Sequence, residues 1–90
     1  MTTTTHEMRL VDTNGYTVPG AVRYQVPATQ VAATETELKA LAPADAADQK
    51  AVHLEHAASL HDAVSADNQR AAARQIRATD YRVQITPPLA

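Results

Sequence analysis

Cysteine is absent, which excludes disulfides, thiolate nucleophiles and every zinc site built on sulfur. Phenylalanine and tryptophan are absent too, so aromatic bulk is confined to Tyr16, Tyr24 and Tyr81. The chain is 44% hydrophobic, but much of that share is alanine, which buries little surface, so the core of this 90-residue chain must be thin. Glycine occurs only at Gly15 and Gly20, both in turn contexts, leaving no glycine-rich phosphate loop. No stretch approaches the roughly 20 apolar residues that span a bilayer, and MTTTTHEMRLVD has neither the basic start nor the apolar run of a signal peptide. A soluble protein is expected, cytoplasmic or carried in a virion, with no membrane partner and no cofactor. A formal charge of −2 is too small to steer the whole domain onto nucleic acid. Lysine occurs only at Lys39 and Lys50 while Ala, Thr, Asp and Arg are plentiful, a bias associated with high-GC genomes such as those of actinobacteria and their viruses.

What is present alternates before it coils. Met8 to Val11 reads as a strand, and Asp12-Thr13-Asn14-Gly15 as a type I′ hairpin turn, with Asn-Gly supplying two positive-φ positions. Tyr16 to Val18 should return antiparallel, and Pro19-Gly20 should interrupt the strand as a turn or bulge. Ala21 to Val26 then resumes it, with Val22, Tyr24 and Val26 on a buried face and Arg23 and Gln25 on a wet one. Tyr81 to Ile85 repeats the same alternation, placing Arg82 and Gln84 on the wet side.

Between these strands the period becomes helical. Thr34-Glu35-Thr36-Glu37 has the form of a capping box, starting a helix that turns Leu38 and Leu41 inward and ends near Pro43. Asp45 is a second N-cap, after which an alanine-rich helix runs to about Ala78, with Ser65 to Asn68 as the place for a break. The expected fold is α+β: a small antiparallel or mixed sheet, made of an N-terminal hairpin or meander and a C-terminal strand, covered on one face by a helical hairpin. Residues 8–87 form one domain, with a flexible or partner-bound tail at 1–7 and a short tail at 88–90. Were the strands Ala21–Val26 and Tyr81–Ile85 adjacent and parallel, the helices between them would make a right-handed crossover.

The stretch HLEHAASLHD holds three of the four histidines. On a helix His53 and His56 lie about 60° apart and could share an ion, whereas His61 lies about 12 Å further along the axis and could not. Glu55 points away from both, so this is not the HExxH arrangement, and His53 and His56 make at most a half-site lacking further ligands. His53 also shares a stripe with Ala57, Leu60 and Val64, which suits a packed helix side; no resident metal is expected. Ser59, His61 and Asp62 do not form a triad, because adjacent helical side chains diverge, and no enzymatic activity is expected.

Arg70, Arg74 and Arg77 follow spacings of four and three, one stripe on the last helix, suited to docking an acidic partner unless Asp67, Asp48, Glu55 or Asp62 neutralises it. Gln69 and Gln75 are side chains of the kind that reach base edges. Arg23 and Arg82, with Gln25 and Gln84, could add a wet sheet face, but it lacks the aromatic platforms of RNA-binding sheets. These features point to a non-enzymatic, homo-oligomeric structural or interaction protein, whose partners are its own copies and another protein, with nucleic acid a lesser candidate. Its most specific form is a small virion or particle component of an actinobacterial phage. The alternative is a small dimeric regulator that binds DNA or a host protein.

Overall fold

The computed structural model describes residues 4–89; Met1 to Thr3 and Ala90, within the two expected tails, lie outside that range. Three strands form one antiparallel sheet: β1 (Thr5–Val11), β2 (Thr17–Pro27) and β3 (Arg82–Thr86), in the order β2-β1-β3. Between β2 and β3 come α1 (Val31–Lys39), α2 (Ala42–Ser59) and α3 (Ala63–Gln75). The class is α+β, with helices packed on the sheet. Since β1 separates β2 from β3, no adjacent parallel pair exists among the described strands, and the conditional crossover does not arise. β1 begins at Thr5 rather than Met8, so Thr5 to Glu7 belong to the sheet and not to a tail. There His6 is buried, and its Nδ1 lies 2.6 Å from the Pro87 carbonyl oxygen.

The hairpin turn is not type I′. Gly15 has φ 88°, but Asn14 keeps a negative φ. Gly15 N–H donates to the Asp12 carbonyl oxygen (3.0 Å) and Asp12 N–H to that of Tyr16 (2.8 Å), a three-residue loop closed by a glycine in the left-handed region. The Asp12 carboxylate favours this loop by accepting from Asn14 N–H (2.9 Å) and Tyr16 N–H (3.0 Å).

Two irregularities in β2 decide which side chains reach the core. Pro19-Gly20 is accommodated within the strand where the register shifts between Arg9 and Val11, with Gly20 at φ 78°. A second shift falls between His6 and Met8, where Tyr24 and Gln25 together oppose Glu7 and Gln25 adopts φ 54°. Opposed residues share a face, so Arg23, opposite Met8, lies on the helix-bearing side and Val22, opposite Arg9, on the other. The expected assignment of Val22 and Tyr24 inward and Arg23 outward is therefore corrected. Tyr24, on the bulge, is 70% exposed, whereas Tyr81 is buried as expected.

Met8, Leu10, Val18, Ala21 and Val26 from the sheet meet Val31 and Leu38 of α1, Ala42 and Ala46 of α2, and Ile76 and Tyr81 from the last connection. α1 starts three residues before Thr34, after a 3₁₀ turn at Ala28–Gln30, because Val31, Thr34 and Leu38 form its buried stripe. Thr34 thus packs inward instead of capping. Pro43 stands in the first turn of α2, where its missing N–H costs nothing, and Asp45 follows inside that turn rather than capping it. The helical segment breaks at Leu60 to Asp62, not at Ser65 to Asn68. Leu60 turns to extended backbone, and the Asp62 carboxylate caps α3 by accepting from Ser65 N–H (3.0 Å) and Ser65 Oγ (2.7 Å), which holds its carboxyl below the usual 3.8.

Candidate interaction surface

Only α1 and the base of α2 cover the sheet; the rest of the α2–α3 hairpin runs beyond it. The molecule measures 63 × 18 × 17 Å, and its radius of gyration, 16.8 Å, exceeds the about 12 Å of a compact chain this long. Ala57, Ala66 and Ala73 are buried outside the main core cluster, and α2 packs chiefly on α3. Helices cover one face of the sheet as expected, through α1 and the base of α2, while the rest of the α2–α3 hairpin projects as an arm. An arm held together by alanine contacts buries little of its own surface. Leu54 remains 50% exposed, Val52 63% and Val64 68%.

Beside the α2–α3 seam lies a groove of about 210 Å³, lined by Lys50, Leu54, Arg70, Ala73 and Arg74. It has an apolar floor and cationic walls. Arg70 is held by Asp67, an exposed pair at 2.7 Å of little energetic weight. Arg77 does not join this surface: α3 ends at Gln75, and Arg77 has extended backbone at φ −133°. The expected stripe of three is therefore a pair, extended across the seam by Lys50, which the sequence reading passed over. Lys50 and Leu54 lie four apart on one helix face, but nothing local says that this face adjoins Arg70 and Arg74.

Arg23 and Arg82 do not form a common face. Arg23 folds onto its own strand, donating through Nη1 to the carbonyls of Gly20 (3.1 Å) and Val22 (3.0 Å). Arg82 is exposed on the opposite face, opposite Val11 in the ladder. That face also carries the Arg9–Glu7 ion pair at 2.6 Å.

The histidines are dispersed. His53 is half-buried, with Nδ1 2.8 Å from Gln69 Oε1, while His56 and His61 are exposed, His61 in the break between α2 and α3. Among the described residues no three His, Asp or Glu side chains gather where they could hold a metal ion. Ser59 donates its hydroxyl to the His56 carbonyl oxygen (2.8 Å) and Asp62 caps α3, so neither faces His61 as a catalytic partner would. Gln69 is engaged by His53, and Gln75 lines a polar cleft of about 160 Å³ with Thr13, Asn14 and His53. No described helix is long and apolar enough to cross a membrane.

A polar cluster joins the hairpin turn to the root of the arm. Tyr81 donates its hydroxyl to Asp45 Oδ2 (2.6 Å), and Gln49 Nε2 lies 2.8 Å from that oxygen, 3.1 Å from Asp12 Oδ2 and 3.2 Å from Tyr81 Oη. Burial, then the hydrogen bond to Asp45, then the charges of Asp45 and Asp12 raise the Tyr81 pKa above its ordinary 10.0. A pKa raised by folding adds stability that is complete below pH 10 and is lost as pH rises beyond it. The urea midpoint should therefore fall between about pH 9 and about pH 11.5 more steeply in the native sequence than in Tyr81→Phe. Parallel curves would show that Tyr81 ionises as easily folded as unfolded.

Comparison with known protein families, with curated proteins and with solved structures found no match to this chain.

Proposed function

We propose that this chain is a non-enzymatic interaction protein that self-associates through the α2–α3 arm. The observation carrying this reading is an arm that projects from the sheet with a half-exposed leucine, Leu54, in the lining of a cationic groove. In a domain with so thin a core, scattered exposure of single residues such as Val52 and Val64 is ordinary, but an exposed leucine lining a groove with Lys50, Arg70 and Arg74 suits a contact surface. Both β2 and β3 are edge strands, offering a further route to assembly. A small particle or virion component is the most specific form of this proposal, supported by the alanine- and arginine-rich composition. The dimeric regulator remains the second reading: Arg70 and Arg74 would then meet DNA or an acidic host protein.

Light scattering over a concentration range tests the proposal. The mass should exceed the 9.7 kDa of one chain and rise with concentration, with or without chelator. Leu54→Glu should shift it to the monomer with the helical circular dichroism unchanged. A native protein that stays monomeric at every concentration overturns self-association. Salt-sensitive binding of nucleic acid by such a monomer would then favour the regulator.

A further inference from the structure

Building on the self-association reading, we propose that the occupant of the Lys50–Arg70–Arg74 groove is α2 of a second copy, running parallel and in register. Along α2 the exposed residues Ala44, Ala47, Ala51, Leu54 and Ala58 are spaced three, four, three and four apart. This is the seam spacing of a coiled coil, and it lies on a different face from Ala42, Ala46 and Ala57, which are buried. Its alanines determine only how closely a second helix can approach. The charges select the occupant and its direction.

With Leu54 at a d position, Lys50 takes the preceding g position, and Asp48 and Glu55 take e positions. A parallel pair brings each g residue beside the e residue five further along its partner, so Lys50 meets Glu55 of the second copy, twice by symmetry. An antiparallel pair would instead bring g beside g and e beside e, so Lys50 would face only Pro43, Lys50 or Ala57 and never a carboxylate of Asp48 or Glu55. The basic groove lies on the Lys50 side of α2, with Arg70 and Arg74 on its far wall. The second copy's Asp48 and Glu55 would enter on that side. Among the described ion pairs Lys50, Arg74, Asp48 and Glu55 have no partner, so this contact satisfies two cations and two carboxylates that the single chain leaves in water. The surface is self-complementary, as a two-fold contact requires.

Lys50→Glu and Glu55→Lys should each weaken dimerisation about tenfold, since each turns two attractions into two repulsions. An equimolar mixture of the two variants should regain the native mass, because both g–e pairs then join opposite charges, and the doubly substituted K50E/E55K chain should dimerise alone. The chain has no cysteine, so Leu54→Cys can form a disulfide only with another copy. Under mild oxidation it should cross-link, and Val52→Cys, off the seam, should not. If the native chain dimerises but the mixture stays dissociated, or Leu54→Cys fails to cross-link, the parallel pairing is overturned while self-association stands. A native chain that is monomeric throughout overturns both. Circular dichroism of each variant separates lost pairing from lost folding.

Discussion

Leu38→Ala is expected to remove about 3 kcal/mol of stability, a large fraction of what a domain this small possesses. Leu38 is fully buried, in α1 over the sheet, in the same cluster as Met8, Leu10 and Val26. The cost of such a deletion depends on how well neighbours collapse into the space. Here many of them are alanines and valines, short and β-branched side chains with little reach, and no Phe or Trp is available to move in. Urea unfolding followed by circular dichroism should show a lower midpoint at an unchanged slope. Leu54→Ala provides the comparison: Leu54 is 50% exposed, so its loss should cost well under about 1 kcal/mol in the monomer. Equal losses at the two positions would mean that the cluster around Leu38 is not the stabilising core.

Asp12→Ala should cost about 2 kcal/mol, because one nearly buried carboxylate serves three donors. It closes the hairpin loop through Asn14 N–H and Tyr16 N–H and ties that loop to α2 through Gln49. Removing it orphans the two backbone donors and frees the root of the arm. Asp12→Asn preserves an acceptor for the loop but sets an amide donor against the Gln49 amide, and Gln49 cannot turn its oxygen there without facing that oxygen to Asp45. Asparagine should therefore lose roughly half as much as alanine, through the bond to α2 alone. The same urea titration reads both variants. If asparagine costs as much as alanine, the link to Gln49 outweighs the loop.

The candidate surface shows where reading along the chain stops. Arg70 and Arg74 were visible as neighbours because helical spacing places them on one face. Their companions Lys50 and Leu54 lie on another helix, and their approach depends on the packing of α2 against α3. Arg77 fails for the converse reason: the spacing continued, but the helix ended first. At Tyr24 the expected alternation is already out of phase, because the irregularity at Pro19-Gly20 puts Val22 and Tyr24 on the outer face and Arg23 on the helix side. One left-handed residue, Gln25, then returns Val26 to the core. No local signal marked that bulge, since glutamine is an ordinary strand residue.

By itself the sequence determined what local chemistry controls: alternation made the strands, alanine-rich periodicity the helices, Gly15 the tight loop, and the absence of cysteine a chain that is stabilised without disulfides. The α+β class follows from the order of those elements. Only the tertiary structure decided the strand order, the two bulges, the break capped by Asp62, and the projection of α2 and α3 past the sheet. Each of these depends on which distant residues compete for one small core. With few large side chains to bury, that core holds α1 and the base of α2 and leaves the remainder of the arm projecting past the sheet.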